Sequence, residues 1–212
     1  MEEYNSGLLK KYRANVKAIA HFALMTLLAI IFRYAVHYMR VISGEQGNSY
    51  SYLELCNEAR QNGNMYIAEE QCGIAAQMGN KKGIFNLAEI DMQKGNIKEA
   101  HAMLEKINSD SPKDIFGNAQ KKLGDIYRIG IGEYHKDLPK AFRFYKTAAE
   151  EGNNPEAMYW VGHMYDNGLA VKENSTDAAN YFRKSAELGY APAQNALGIM
   201  YLNGYGVRGN YD

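Results

Sequence analysis

The segment "AMYWVGHMYDNGLAV" at residues 157–171 places apolar side chains at Ala157, Trp160, Val161, Met164 and Tyr165. Steps of three and four put them on one face of a helix. Gly168 predicts the stop, where a left-handed residue ends a helix without a Cβ penalty. Asn174, Ser175 and Asp177 then offer caps to a second helix, "AANYFRKSAELG" at 178–189. Ala178, Tyr181, Phe182, Ser185 and Ala186 form the apolar face of that helix. Pro155 and Pro192 sit 37 residues apart, each near the start of a first helix, where a missing N–H does little harm. Gly162 falls on the packed face of the first helix. It costs about 1 kcal/mol against alanine and admits a closely packed neighbour.

The unit recurs. "AQNALGIMYLNGYGV" at 193–207 repeats residues 157–171 at an offset of 36, and "AQKKLGDIYRIGIGE" at 119–133 precedes them by 38. Gly124, Gly162 and Gly198 coincide. The phrase "KAFRFYKTAAEEG" at 140–152 is the second helix of the earlier copy. Small residues at Ala141, Ala148, Ala178 and Ala186 allow tight antiparallel packing. Upstream, residues 87–107 and 52–79 read as two less regular hairpins. One hairpin cannot bury its apolar face alone, whereas stacked hairpins can. The expected fold is therefore an all-α solenoid of helix-turn-helix repeats, with four hairpins and one trailing helix. That last helix lacks the second half of its repeat. This predicts that the array continues beyond Asp212, or that a partner or second copy covers the edge.

The N-terminal end reads differently. Residues 18–39 run "AIAHFALMTLLAIIFRYAVHYM", long enough to cross about 30 Å of hydrocarbon as a helix. Arg33, near the far end, would reach towards the interface. Thr26, Arg33, His37 and Arg40 share one sector of this helix, which is read as headgroup contact. The expected organisation is a basic N-terminus over 1–17, a transmembrane helix over 18–39, a linker over 40–50, degenerate repeats over 51–117 and regular repeats over 118–212.

Charge changes the picture only at this end. The 212-residue chain is formally neutral. Residues 1–40 carry six Lys/Arg against Glu2 and Glu3, a balance of +4, so the rest carries −4. Lys10, Lys11, Arg13 and Lys17 precede the apolar span, which by the positive-inside rule keeps the N-terminus in the cytoplasm and the repeats across the membrane. A neutral chain gives no bulk support to a nucleic-acid partner.

The phrase A-x-x-x-L-G-x-M-Y-x-x-G-x-G-V, followed by A-x-x-x-F/Y-x-x-A/S-A-E-x-G, resembles the Sel-one-like repeat family, a cousin of the tetratricopeptide repeat. The resemblance is specific over 118–212. Over 50–117 it is looser, because the G-x-G-V turn is missing. It implies an α-solenoid that binds other proteins rather than an enzyme, often in bacterial envelope, virulence or signalling settings; eukaryotic relatives serve as membrane-linked adaptors of protein quality control.

The repeat register places two cysteines. Cys56 lies seven residues before Gly63, as Leu123, Val161 and Leu197 lie seven before Gly130, Gly168 and Gly204. Cys72 lies seven before Gly79, where Tyr145 and Phe182 stand in later units. The two thiols should face each other across one hairpin. Some secreted members of the resembled family pair such cysteines. In an oxidising compartment a disulfide is expected, and otherwise two buried thiols.

The concave face should be lined by Lys121, Asp125, Arg128, Tyr159, His163, Asp166, Asn195 and Ile199, with Tyr159 as the aromatic anchor. The glycines of "GIGE" and "NGYGV" follow helices, not strands, and read as turns rather than phosphate loops. His101, His135 and His163 fall in separate units without metal-ligand spacing. Asn174-Ser175-Thr176 has the form of a glycosylation sequon, but a cap suffices to explain it. No nucleophile motif occurs. The expected function is a membrane-anchored adaptor in a bacterial envelope, with a protein partner, no cofactor, no nucleic acid and no small-molecule substrate. A regulatory protein that sequesters one partner and a cell-wall hydrolase are the alternatives.

Overall fold

The computed structural model describes residues 48–206, together with Leu24. The expected linker and membrane helix fall outside these residues, apart from Leu24 of that helix and the linker's last positions. Among the described residues no helix is long and apolar enough to cross a membrane. The first repeat helix begins at Ser49, slightly inside the stretch assigned to the linker.

Nine helices follow in the described residues: α1 (Ser49–Gln61), α2 (Met65–Gln77), α3 (Lys81–Lys94), α4 (Ile97–Glu105), α5 (Lys113–Ile129), α6 (Leu138–Glu150), α7 (Pro155–Asp166), α8 (Ser175–Glu187) and α9 (Ala191–Asn203). They form four hairpins and a trailing helix, an all-α solenoid. Asparagine starts several of them. Asn64, Asn80, Asn154 and Asn174 each accept a hydrogen bond from a backbone N–H in the first turn of the next helix. Asp137 does the same for α6. Asn174, the asparagine of the sequon form, is thus occupied as a cap. Pro155 is the first residue of α7, as the sequence implied.

The repeat turn contains two left-handed residues. In α5's turn these are Gly130 and Gly132, at φ 78° and 63°. In α7's turn the second position is Ala170, at φ 64°, a conformation that a Cβ makes costly.

The core is segmental, as a linear array requires. Cys56, Ala68, Cys72 and Ile90 close α1–α3. Phe85, Leu104, Ile115, Phe116, Leu123 and Ile126 close α3–α5. Tyr145, Ala148, Ala157, Val161 and Met164 close α6–α7, and Ala178, Phe182, Ala193 and Met200 close α8–α9. First helices also touch the first helix of the next unit, α1 with α3, α3 with α5 and α5 with α7, whereas second helices make no comparable approach. The first helices therefore line the inner side of the array.

Glycine sets the distance within a repeat. A Cβ on Gly124 would stand 2.6 Å from the Tyr145 ring, and one on Gly162 would stand 2.9 Å from the Phe182 ring. Each glycine lets the aromatic residue of the following second helix come close against the first helix. Where α5 meets the α6–α7 turn, a Cβ on Gly117 would lie 2.7 Å from the Gly152 carbonyl oxygen.

Candidate functional site

Ion pairs run along the inner side from one first helix to the next. Glu89 on α3 takes Arg60 of α1 at 2.8 Å and Lys122 of α5 at 3.1 Å. Burial alone would raise the Glu89 carboxyl pKa, but the Arg60 hydrogen bond and the Lys122 cation outweigh it and hold it below the usual range. Lys121 on α5 takes Asp125 at 3.0 Å and Glu156 of α7 at 2.6 Å. Burial lowers the Lys121 pKa, yet the two carboxylates overcome this and raise it.

Next to this ladder lies an aromatic cluster. Tyr145 is fully buried, but its hydroxyl reaches through to donate to Asp125 at 2.7 Å and to accept from Arg128 Nε at 2.9 Å. Burial, reinforced by the Asp125 carboxylate, pushes the phenol pKa far up, so the hydroxyl stays a donor. The Arg128 guanidinium lies 4.0 Å from the ring centre of Trp160, the sole tryptophan of the chain. Trp160 contacts Tyr159 and His163, each at 5.5 Å between ring centres. Tyr159 in turn meets Phe182 and Tyr190, both at 5.6 Å. Trp160 Nε1 and His163 Nδ1 are enclosed without a hydrogen-bond partner among the described residues.

Of the eight residues expected on this face, Lys121, Asp125, Arg128, Tyr159 and His163 converge in this half-buried cluster. Asp166 is exposed at the end of α7, and Asn195 and Ile199 are exposed on α9, outside the cluster. Sequence reasoning missed Trp160, Tyr145, Glu156 and Tyr190 as members. The first two had been placed on buried faces; Tyr145 brings its hydroxyl to Asp125 and Arg128, and Trp160 offers its ring face to Arg128 while its Nε1 stays enclosed.

A second polar group lies between hairpins. The buried His101 of α4 makes a 3.0 Å contact between Nε2 and the Tyr127 hydroxyl of α5, stacks on Tyr134 at 4.4 Å, and has Glu105 at 3.5 Å from Nδ1. Lys140 donates to the Tyr127 hydroxyl oxygen at 2.6 Å. With Lys140 on the Tyr127 oxygen and Glu105 beside Nδ1, we assign the ring proton to Nδ1 and let Nε2 accept from the Tyr127 hydroxyl. Among the described residues no group of three or more His, Cys, Asp or Glu side chains is arranged to hold a metal.

Cys56 and Cys72 face each other across α1 and α2. Both are fully buried, their Cα atoms are 5.1 Å apart and their sulfurs are in bonding contact. The Cα separation lies within the range that a disulfide spans.

Stacked hairpins with first helices inside, turn glycines at a fixed register and a side-chain face running across units define an α-solenoid repeat protein. More narrowly, residues 117–153, 155–190 and 191–212 match the Sel1 repeat, so the C-terminal part of the chain carries Sel1 repeats. Its fold is similar to the crystal structure of a Sel1 repeat protein from Oxalobacter formigenes, with 30% identity and a TM-score of 0.55, over 69% of this chain and 57% of that one. Chitin synthase regulatory factor 3 of Schizosaccharomyces pombe is 30% identical over 82 residues, 39% of this chain and 9% of that protein. The ERAD-associated E3 ubiquitin-protein ligase component HRD3B of Arabidopsis thaliana is 31% identical over 91 residues, 42% of this chain and 14% of that protein. The similarity to these two relatives is therefore to a small part of each.

Proposed function

We propose that the chain is a non-catalytic scaffold that holds a protein partner on the inner face of α5 and α7. The carrying observation is the half-buried cluster of Lys121, Asp125, Arg128, Tyr159, Trp160 and His163. Its side chains are already fixed by mutual ion pairs and ring contacts, so binding would cost little ordering entropy. Aromatic and arginine side chains at the centre of a polar rim are the groups that dominate interface energetics. The names of the two curated relatives, a regulatory factor and a ligase component, accord with a role through other proteins.

For placement we propose that residues 18–39 anchor the chain in a bacterial envelope membrane, with the repeats outside the cytoplasm. The apolar run and the basic flank before it support this reading. Carbonate extraction tests it: release of the chain into the soluble fraction would sink the anchor.

The scaffold reading is tested by capture of a stoichiometric partner with the full chain, repeated with Tyr159→Ala and with Arg128→Ala. Each variant should weaken capture at least about tenfold, as expected for a centrally placed anchor, while its melting curve stays cooperative. Added partner should also shift the Trp160 emission. Equal capture by wild type and both variants would place binding elsewhere.

A further inference from the structure

Arg128 is the loosely paired cation of the inner face. The ion pairs of that face join four cations to three carboxylates. Arg60 and Lys122 share Glu89 at 2.8 and 3.1 Å, and Lys121 holds Asp125 and Glu156 at 3.0 and 2.6 Å. Arg128 stands 3.8 Å from Asp125, a carboxylate already occupied by Lys121 and by the Tyr145 hydroxyl. Its Nε donates to the Tyr145 hydroxyl oxygen, and its guanidinium is held over the Trp160 ring. The terminal nitrogens are therefore fixed in place, and among the described residues no carboxylate meets them at hydrogen-bond distance. The side chain is 29% exposed, so an outside group can reach it. A positioned guanidinium with unused donors grips a carboxylate through two parallel N–H groups. With Asp125 so close, a doubly charged phosphate would meet more repulsion than a singly charged carboxylate. Beside Arg128, Trp160 Nε1, which can only donate, also lacks an acceptor.

The chain itself does not offer the matching charge. Arg128 and Trp160 belong to α5 and α7, with α3 before them and α9 after them, so an array continued past α9 would stack there and not on this stretch. The remaining sequence is mainly basic. Residues 1–47 carry six Lys/Arg against Glu2, Glu3 and Glu45, and residues 207–212 carry Arg208 and Asp212. We propose that this site takes an acidic segment of the partner protein. One Asp or Glu carboxylate of that segment meets the terminal nitrogens of Arg128, and an apolar neighbour of the acidic residue packs on the half-buried Tyr159 ring. The proposal rests on the reading that a partner docks on the inner face, and gives that partner its charge.

The test selects a displayed library of short random peptides on the full chain. Enriched peptides should share an Asp or Glu beside an apolar residue. The tightest of them, dye-labelled and followed by anisotropy, should bind the Arg128→Gln chain at least about tenfold more weakly. Changing its acidic residue to Asn or Gln should weaken binding to the wild-type chain by a similar factor, and this change cannot disturb the chain's fold. On the Arg128→Gln chain the same peptide change should make little further difference, the sign that the two groups act on each other. A selection that enriches nothing overturns the proposal. So does an uncharged or basic consensus, or an acidic peptide that holds Arg128→Gln as tightly as wild type. Tyr159→Ala separates the two readings. An uncharged consensus whose binding is lost on Tyr159→Ala removes the acidic partner and leaves the inner-face site. Peptides that bind Tyr159→Ala and Arg128→Gln as they bind wild type remove both.

Discussion

The hydroxyl of Tyr145 donates to the Asp125 carboxylate at 2.7 Å, while the Tyr145 ring packs against Gly124 of the same helix as Asp125. One side chain therefore closes the hairpin core and orders its inner face. Tyr145→Phe keeps the ring and removes the hydroxyl. Asp125 would keep Lys121 and its 3.8 Å ion pair with Arg128, but Arg128 Nε would lose its acceptor at 2.9 Å. Loss of bonds to charged groups should cost about 1.5–3 kcal/mol in denaturant unfolding. The orientation of Arg128 over Trp160 should loosen as well, altering Trp160 emission in the folded state. Wild-type stability together with unchanged emission would contradict the coupling.

Gly162 and Gly198 share one register position in different surroundings. Gly162→Ala would press a methyl group into the Phe182 ring and should cost about 1–3 kcal/mol from overpacking. Gly198→Ala meets open space and should be neutral or stabilising by up to about 1 kcal/mol through helix propensity. Thermal melts of the two variants check the sign difference. A destabilising Gly198→Ala would mean that the α9 face is already covered.

Much of this was legible from the repeat itself. Equivalent positions could be compared, so the stops, the close approach at Gly162 and the facing cysteines followed from one register; of the asparagine caps only Asn174 was read from the sequence. The inner-face chemistry was less visible. Helical periodicity puts Trp160 on a packed face and the repeat register puts Tyr145 on one, but neither tells that the Tyr145 hydroxyl emerges at Asp125 or that Trp160 stays half-buried under Arg128. The Arg60–Glu89–Lys122 ladder joins three helices across about thirty residues at each step, so no local spacing announces it. His101 read as one of several scattered histidines, because its partners Tyr127, Tyr134 and Lys140 belong to the next hairpin. The stretch expected to span a membrane falls outside the described residues apart from Leu24.

Ala170 holds φ 64° where the equivalent turn residues are Gly132 and Gly206, at 63° and 65°. The left-handed conformation costs an L-residue about 1–2 kcal/mol. Glycine gives part of that back through its larger unfolded-state entropy. Ala170→Gly should therefore raise stability by roughly 0.5–1 kcal/mol, read as a higher denaturant midpoint at constant slope. An equal loss would show that the alanine methyl is packed and not strained.

Cys56 and Cys72 are 16 residues apart in sequence. Under oxidising conditions we expect a disulfide, and closing a loop of this size should contribute about 3 kcal/mol. Intact mass before and after reduction and alkylation counts the thiols. Reduction should lower the denaturant midpoint of the oxidised chain, and the Cys56→Ala, Cys72→Ala double variant should lose its sensitivity to reductant. Two alkylatable thiols in chain isolated from an oxidising compartment would rule the bond out there.

His101 should make the fold acid-sensitive. Burial, first, and the Lys140 cation lower its pKa, while Glu105 and Glu133 pull it upward; the net direction is down from the ordinary 6.5. The unfolded chain then binds a proton at higher pH than the folded one. The stability tied to neutral His101 is fully present above the unfolded pKa and is lost as pH falls through the folded one. In the fold, a second ring proton would meet the Tyr127 hydroxyl, whose oxygen already accepts from Lys140. Unfolding free energy should thus decline as pH falls through the ordinary histidine value of 6.5 and go on declining through the lower folded one. His101→Gln can still accept from Tyr127 but does not titrate. It should flatten that slope, even if it lowers the plateau through poorer stacking on Tyr134. Parallel pH profiles for the variant and the wild type would show that the acid response lies with other groups.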